Sequence, residues 1–280
     1  MDPIRIIVDS AADLTAQDRA EYGIDVVSQV VTQGSEAYED ASLTPDAFWE
    51  LAKRGTPGTS QPPVGAFEEA YERWVSQGYR VLCITVTGRH SGTCNTAQLA
   101  GQRYGERVTV FDSLGISAGQ GWLALVAAQM VRAHASLDQI VETLRSVRAR
   151  THTFILLDSL ESLRRGGRAA RLMPYVNRLM RAFDLKLIIS FVDGELKLSS
   201  VVRSYSKGLE RMKQEIQRLA PMERLAVIHT RRQAMAQQLA DELAELLAFP
   251  RQQIMVMETR AALASHAGPG ATGIFGVSVS

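Results

Sequence analysis

Short β-branched runs alternate with longer helical segments through the first half of the chain. The runs are IRIIVD, DVVSQVVT, RVLCITVT and RVTVFDS, and the segments between them include TPDAFWELAKR, VGAFEEAYERWVSQG and SGTCNTAQLAGQRYG. Apolar runs of strand length that are separated by helices are typical of βαβ units, in which helices cover both faces of a parallel sheet. The first half is therefore predicted to be an α/β domain with a parallel sheet.

The second half differs because it contains a hairpin. The segment LKLIISFVDGELKLSSVVRS consists of two strand-like runs joined at Asp193-Gly194, a dipeptide that favours a two-residue turn. Two further strand-like runs, RLAVIHT and QQIMVMET, are separated by a helical segment. We predict an α/β chain of two domains, residues 1–150 with a parallel sheet and residues 151–280 with a mixed sheet.

Composition excludes several classes of function. The chain has 280 residues, a formal net charge of +1 and two cysteines. Nucleic acid is not expected as a partner, because phosphate binding needs a basic surface. Two cysteines are too few for a disulfide framework or a four-ligand zinc site, and no metal is expected. The N-terminus lacks the form of a signal peptide, and the apolar stretch GWLALVAAQMV is too short to cross a bilayer, so we expect a cytoplasmic protein without a membrane span.

A glycine loop near the end of the chain resembles a nucleotide motif. Gly268 to Gly273, GPGATG, matches the pattern G-x-G-x-x-G. That motif needs a strand before it and a helix after it, whose N-terminus holds the pyrophosphate. Here the strand-like run GIFGVSVS follows instead. We therefore reject a nucleotide site, which leaves the role of His266, two residues before the loop, open.

The segment GISAG, centred on Ser117, matches the G-x-S-x-G pattern of α/β serine hydrolases. A strand-like run precedes it and an apolar helical segment follows, as a nucleophilic serine on such a turn requires. Against this interpretation, Asp112, Ser113 and Leu114 separate the strand from the first glycine. Gly119 also favours close packing of the helix on the sheet. A hydrolase that uses Ser117 is the alternative function.

Three strand-like runs end in the same dipeptide, at Asp9-Ser10, Asp112-Ser113 and Asp158-Ser159. Asp and Ser side chains commonly cap the turn or helix that follows a strand. The carboxyl ends of strands also collect ligand groups in open α/β sheets. Capping is the simpler explanation for each pair, and the set indicates where a cleft would lie.

Small hydroxyl side chains stand in two loops. Thr59 and Ser60 come just before two prolines that favour an extended loop. Ser91 and Gly92 lie between a strand-like run and a helical segment, a geometry that presents N–H groups and hydroxyls to an anion. Capping of the following helix is the alternative explanation for both loops.

Arginines cluster in SLESLRRGGRAARL, where Arg168 follows two glycines, and Arg203 follows the predicted hairpin. Cations near a helix C-terminus are the simplest interpretation of the cluster. An exposed basic corner that docks a phosphate or an acidic partner is the alternative.

Seven segments of the chain form a recognisable series. They are IIVDSAADLT, GTSQPPVGAFEEAYE, SGTCNTA, VFDSLGISAGQG, LDSLESLRRGGR, VVRSYSKGLERM and SHAGPGATG. In this order and spacing, which cover nearly the whole chain, they resemble the DegV family of bacterial fatty-acid-binding proteins. That family includes the fatty-acid-binding subunit of fatty acid kinase.

The resemblance implies two α/β domains with one long-chain fatty acid between them, such as palmitate, stearate or oleate, and no cofactor. It also implies that the carboxylate is held by residues from three segments of the chain. These are Thr59 or Ser60, Ser91 with the N–H of Gly92, and His266.

The resemblance further implies a non-catalytic carrier that presents the carboxylate to a separate fatty acid kinase, with Arg168 and Arg203 facing that kinase. The chain departs from the family pattern at two places. His90 stands where an apolar residue usually precedes S-G-T, and Ser265 and Ala267 replace the usual threonines beside the loop histidine.

Overall fold

The computed structural model describes residues 2–158 and 185–280. The chain divides into two compact units. Unit 1 is Met1–Ala149 with Arg260–Ala262, and unit 2 is Arg150–Thr259 with Leu263–Ser280.

Unit 1 is built on a four-stranded parallel sheet with the order β2-β1-β6-β7. Its strands are β1 (Ile4–Asp9), β2 (Asp25–Val27), β6 (Arg80–Thr85) and β7 (Val108–Asp112). The side chains of Ile7 and Leu82 are fully buried, as expected for strands covered on both faces. The prediction of a parallel sheet in the first half is confirmed.

A small antiparallel sheet with the order β4-β3-β5 was not predicted. Its strands are β3 (Val30–Gln33), β4 (Glu36–Glu39) and β5 (Gly58–Ser60). The prediction that DVVSQVVT forms one strand is wrong, because the chain leaves the parallel sheet at Ser28 and Gln29. The backbone N–H of Gln29 donates to Ser10 Oγ at 3.0 Å, and the backbone N–H of Ala41 donates to Ser28 Oγ at 2.9 Å.

Six helices of unit 1 connect these strands. They are α1 (Ala16–Tyr22), α2 (Pro45–Lys53), α3 (Val64–Val75), α4 (Thr93–Gly101), α5 (Ser117–Arg132) and α6 (Leu137–Ala149). Short 3-10 helices occupy Ser10–Ala12, Asp40–Ser42 and Gln102–Arg107. Ser136 caps the start of α6, since its hydroxyl accepts from the Gln139 N–H while the Gln139 side chain accepts from the Ser136 N–H.

Helix α5 packs closely, as its glycines indicate. A Cβ atom on Gly121 would lie 2.6 Å from the carbonyl oxygen of Ala12. Only a glycine fits at this position, so α5 lies directly against the turn that follows β1.

Unit 2 contains a six-stranded mixed sheet with the order β10-β9-β8-β13-β11-β12 among the described residues. The strands are β8 (Thr151–Leu157), β9 (Lys186–Val192), β10 (Glu195–Val202), β11 (Met222–His229), β12 (Ile254–Glu258) and β13 (Thr272–Ser278). Strands β11 and β12 are parallel and the other neighbours are antiparallel, which confirms the predicted mixed sheet.

The predicted hairpin joins β9 and β10. Asp193 and Gly194 have φ angles of 51° and 79°, the left-handed pair that a tight hairpin turn requires. The run after the glycine loop is β13, a central strand, so no helix follows the loop.

Helices α7 (Tyr205–Gln217) and α8 (Gln233–Leu247) belong to unit 2, as does α9 (Ala261–Ala267) from its third residue, and a 3-10 turn occupies Arg251–Gln253. Helices α7 and α8 pack on one face of the sheet, where Met212 and Leu243 are fully buried against Ile274. Arg168 and Ser159, and the helix predicted for SLESLRRGG, lie outside the described residues. In residues 2–158 and 185–280, no helix combines the length and the apolar character that crossing a membrane requires.

Candidate functional site

The order of the strands in unit 1 places β1 and β6 side by side at the point where the chain reverses its direction across the sheet. The chain crosses from β1 to β2 on one side and from β6 to β7 on the other, so the connections leave in opposite directions. Ligands in open α/β sheets bind at such a reversal. The predicted Ser91-Gly92 turn belongs to the connection that follows β6.

Asp9 holds the two strand ends together. Its Oδ1 accepts from the Ala11 N–H and from Gln29 Nε2, both at 3.0 Å. Its Oδ2 accepts from the Val86 N–H at 2.7 Å and from Gln120 Nε2 at 3.0 Å. Complete burial raises the pKa of Asp9, and these donors only partly offset that effect. Asp9 caps the turn after β1, as the simpler interpretation predicted, and it also fixes the loop after β6.

The loop after β6 is held by its backbone. Besides the bond to Val86, the N–H of Gly88 donates to Asp112 Oδ2 at 3.1 Å, and the N–H of Thr87 donates to the Gly115 carbonyl at 2.9 Å. The carboxylates of Asp9 and Asp112, at the ends of β1 and β7, therefore both accept backbone N–H groups of the loop after β6. Sequence reasoning found these acidic residues but not this shared target.

The Ser91-Gly92 turn leads into α4. The Ser91 hydroxyl accepts from the Thr93 N–H at 3.2 Å and lies 2.8 Å from Thr93 Oγ1. The N-cap residue of α4 is Gly92, without a side-chain cap, so the alternative explanation, in which Ser91 caps the helix, is wrong by one residue. Ser91 and Gly92 are both partly exposed.

Gln61 links the two predicted hydroxyl loops. Its Nε2 donates to Thr96 Oγ1 at 3.0 Å, and Thr96 Oγ1 donates to the Gly92 carbonyl at 3.1 Å. A Cβ atom on Gly92 would lie only 1.8 Å from Gln61 Oε1. The segment that follows β5 thus packs directly on the turn before α4, and the absence of a side chain at position 92 makes that contact possible.

Thr59 and Ser60 lie in β5 and pair with β3, where Val31 is opposite Thr59 and Val30 is opposite Ser60. Helix α3 begins at Val64 after Pro63, without a side-chain cap. The alternative that these hydroxyls cap α3 is therefore wrong, because both residues belong to a strand.

Ser117 is buried rather than presented to solvent. It has 1% of its surface exposed, its φ is 50°, and its hydroxyl donates to Asp13 Oδ2 at 2.6 Å. Asp13 Oδ1 also accepts from the N–H of Arg260 at 3.0 Å. A nucleophile needs access to substrate and a base to take its proton. This geometry gives Ser117 a structural bond instead and lends the hydrolase alternative no support.

Within the described part of the chain, no three or more His, Cys, Asp or Glu side chains are grouped so that they could hold a metal ion. Cys83 and Cys94 are free and buried, and burial raises the pKa of the Cys83 thiol to about 12. A reactive thiolate at Cys83 is not expected.

His266 lies in unit 2, in the last turn of α9, and is partly buried. Gly268 and Gly270 follow with φ angles of 75° and 83°, in the left-handed region. The loop then enters β13 at Thr272. The glycines therefore let the chain turn sharply between the histidine and the sheet.

Thr230, at the end of β11, holds this loop. Its Oγ1 donates to the Gly268 carbonyl at 2.6 Å and accepts from the Ala271 N–H at 2.8 Å. Its carbonyl accepts from the Gly270 N–H at 3.0 Å. A single buried threonine thus contacts both ends of the glycine loop.

A second group holds the middle of the loop. The Gly270 carbonyl accepts from the Tyr205 hydroxyl at 2.7 Å and from Arg232 Nε at 3.1 Å. Asp158 Oδ2 accepts from an Arg232 Nη atom at 2.7 Å, and Asp158 Oδ1 lies 3.0 Å from Lys186 Nζ. Burial would raise the pKa of Asp158, but hydrogen bonds and charges from Lys186 and Arg232 outweigh it and hold the pKa below its usual value.

Sequence reasoning assigned no role to Tyr205, Thr230 or Arg232. In the sequence these residues stand out only because they lie at the start of a helical segment or directly after a strand-like run. That position does not show that they bind the glycine loop. Arg203 is exposed and lies just before Ser204, the N-cap of α7. Arg168 lies outside the described residues.

Comparison with known proteins identifies relatives over the full length. The sequence model described as "Uncharacterised protein, DegV family" matches residues 3–279. A DegV domain-containing protein of Listeria innocua is 31% identical over 279 residues, covering 97% of both chains. One from Deinococcus radiodurans is 32% identical over 282 residues, again covering 97% of both.

Solved structures show the same fold. A DegV family protein from Thermus thermophilus, described by its fatty acid binding, aligns with a TM-score of 0.90 and 27% identity over 100% of both chains. DegV from Bacillus subtilis, described as a fatty acid binding protein, aligns with a TM-score of 0.88 and 26% identity over 99% of this chain and 100% of that one.

Proposed function

This chain belongs to the DegV family, and from that membership we propose that it binds one long-chain fatty acid as a non-catalytic carrier. The observation that carries the proposal is the full-length structural match to a Thermus thermophilus relative described by its fatty acid binding. Sequence identity of 27% over the whole chain makes that likeness more than a shared fold.

The physics of a buried acyl chain supports a carrier. Each methylene removed from water contributes about 0.8 kcal/mol, so a saturated chain of about sixteen carbons gains high affinity without any catalytic group. The carboxylate alone needs polar partners, because an unpaired charge in a dry site is costly. Hydroxyls, backbone N–H groups and a histidine are sufficient donors for one carboxylate.

For the head group we propose the residues that the family resemblance implies. These are Thr59 or Ser60, Ser91 with the N–H of Gly92, and His266. Two local observations support this choice. Gln61 packs on Gly92 and so couples the first two segments, and three residues outside α9 fix the glycine loop that follows His266.

We also propose that the bound carboxylate is presented to a separate fatty acid kinase, which forms the acyl phosphate. Arg168 and Arg203 are the proposed partner-facing residues. The exposure of Arg203 is compatible with that role.

Native mass spectrometry tests lipid binding directly. Protein purified from a bacterial host should carry extra mass equal to a fatty acid of roughly 14–18 carbons, and delipidated protein should regain one equivalent of palmitate, stearate or oleate. Protein that stays empty after incubation with all three acids contradicts the proposal.

Two kinds of variant separate the head group from the partner surface. We expect His266→Ala to abolish acyl-phosphate formation with a cognate kinase while palmitate binding persists, because one charge-assisted hydrogen bond contributes about 1.5–3 kcal/mol, far less than the buried chain. Arg168→Ala and Arg203→Ala should keep palmitate and weaken the kinase interaction. If Arg168→Ala loses palmitate, that arginine belongs to the lipid pocket. If the His266→Ala variant supports normal acyl-phosphate formation, His266 is not part of the head-group site.

A further inference from the structure

A cavity of about 460 Å³ opens at the amino end of the parallel sheet in unit 1, at the end of the strands opposite to the candidate site. The start of β1, the end of α1 and the end of α5 line it. Its volume falls in the range of about 300–1,000 Å³ that small-molecule sites occupy. Neither the family match nor the proposed function assigns anything to this cavity.

Arg5 lines the cavity and is held in place by its neighbours. Its guanidinium carbon lies 3.7 Å from the centre of the Trp74 ring. A Cβ atom on Gly23 would lie 2.7 Å from Arg5 Nη1, so the guanidinium also packs closely against the backbone that ends α1. Trp74 is itself fixed, because its indole N–H donates to Asp25 and its ring meets Tyr79 edge-on.

No acceptor in the described part of the chain pairs with this fixed cation. The side chain of Arg5 makes neither a hydrogen bond nor an ion pair there, and its Nε is buried without a partner. A guanidinium that has no acceptor within the protein is left to pair with water or with an anion that enters the cavity. An arginine held on an aromatic ring is also pre-organised to receive a planar or tetrahedral anion through two parallel hydrogen bonds.

Arg132 lines the same cavity but already has partners. Its guanidinium lies over the Tyr22 ring, 4.4 Å from the centre, and donates to the carbonyl of Glu21. Its Nη1 is 3.8 Å from Glu21 Oε1. Arg132 therefore serves the negative end of α1, the usual role of a cation at a helix C-terminus. Arg5 donates to no helix carbonyl, so that structural role does not account for it.

The remaining lining is suited to an amphipathic ligand. Asp2, the one acidic residue among the described residues that line the cavity, is paired with Arg107 at 3.1 Å. Apolar side chains such as Ile4 and Val131 and the rings of Tyr22 and Tyr79 form the walls. We propose that this cavity binds a small aromatic anion, a carboxylate or a phosphate monoester, with Arg5 pairing to the anionic group.

The test uses full-length protein that has been saturated with palmitate and the indole N–H signals of its three tryptophans in ¹H–¹⁵N NMR spectra. Phenyl phosphate and benzoate are titrated separately, and benzyl alcohol serves as the neutral analogue. At least one anion should shift the Trp74 signal saturably, with a Kd of about 1 mM or tighter, and benzyl alcohol should bind at least tenfold more weakly. The anion that binds more tightly identifies the preferred head group.

The Arg5→Met variant keeps an unbranched side chain against the Trp74 ring but removes the charge. It should raise the Kd of the preferred anion at least tenfold. Arg103→Met is the matched control and should leave the affinity unchanged, since Arg103 is an exposed arginine on an aromatic ring that neither lines the cavity nor pairs with a residue that does. Arg5→Lys, which retains the charge but not the paired donors, should give an intermediate affinity. No Trp74 shift with either anion at about 10 mM, or equal binding of anion and alcohol by the unmodified protein, overturns the proposal without any variant.

Discussion

Among single residues, Asp40 is a buried carboxyl group of unit 1 whose charge affects stability. It has no exposed surface, and its Oδ1 accepts from the N–H of Ala262 at 2.7 Å. The pKa of Asp40 is raised to about 6, chiefly by burial and also by the charge of Asp13, against the opposing effects of Ser10, the Ala262 N–H and Arg260. The ionised form is therefore disfavoured in the folded protein relative to the unfolded chain.

The pH dependence of stability follows from that direction. Between roughly pH 4 and 6 the folded state binds more protons at Asp40 than the unfolded state does, so the free energy of unfolding should fall as pH rises through this window, by up to about 3 kcal/mol. We expect Asp40→Asn, which keeps an oxygen for Ala262, to lose this decline. Urea unfolding of both proteins at pH 4, 5, 6 and 7 measures it. A constant difference between the two proteins over that range would contradict the prediction.

Gly92 has little tolerance for a side chain. Its φ of −73° suits any residue, so the constraint is the Gln61 side chain, 1.8 Å from where a Cβ would lie. Gly92→Ala should lower the free energy of unfolding by about 1–3 kcal/mol through overpacking, and Gln61→Ala in the same chain should recover part of that loss. Gly65→Ala is the control, since nothing lies within 4 Å of its Cβ position. An equal effect of both glycine substitutions would show that the contact with Gln61 is unimportant.

At the scale of elements, sequence patterns predicted the strands and turns whose structure depends on residues close together in the chain. The β-branched runs gave β1, β6 and β7, and Asp193-Gly194 gave the hairpin, because period and turn chemistry act over a few residues. The pattern of DVVSQVVT could not show that Gln29 would donate to Asp9, a residue twenty positions earlier.

The candidate site was predictable to a similar extent. Its hydroxyl loops and the histidine were found through the family resemblance, and the acidic residues that end β1 and β7 were found as a repeated dipeptide. Gln61 and Tyr205 were not assigned roles, because their bonds to Thr96 and Gly270 span 35 and 65 residues. Such contacts depend on how strands and helices pack, which a single sequence does not display.

The glycine loop after α9 is an element whose rigidity can be tested. The Tyr205 hydroxyl lies 2.7 Å from both the Gly270 carbonyl and Thr272 Oγ1. Tyr205→Phe should cost about 1 kcal/mol, and the Gly270 and Ala271 amides should exchange at least fivefold faster with deuterium while the β13 amides stay protected. Tyr38→Phe is the control, because the Tyr38 hydroxyl donates to Glu36 at an exposed site. Unchanged exchange in the loop would mean that Thr230 and Arg232 hold it unaided.

For the whole molecule, the proposed carrier function makes a prediction that depends on the length of the acyl chain. If a saturated fatty acid is buried, each added methylene should tighten binding about fourfold, until the chain exceeds the space that receives it. At one fixed excess concentration of free acid, tighter binding should then stabilise the delipidated protein by about 0.8 kcal/mol more for each added methylene, so the midpoint of thermal unfolding should rise along a series of acids of increasing length. The methyl ester of each acid has the same chain without the charge, so the acid–ester difference should be constant along the series if the head group and the chain bind independently. A midpoint that does not depend on chain length would exclude a buried acyl chain, and equal midpoints for acids and esters would exclude a carboxylate site.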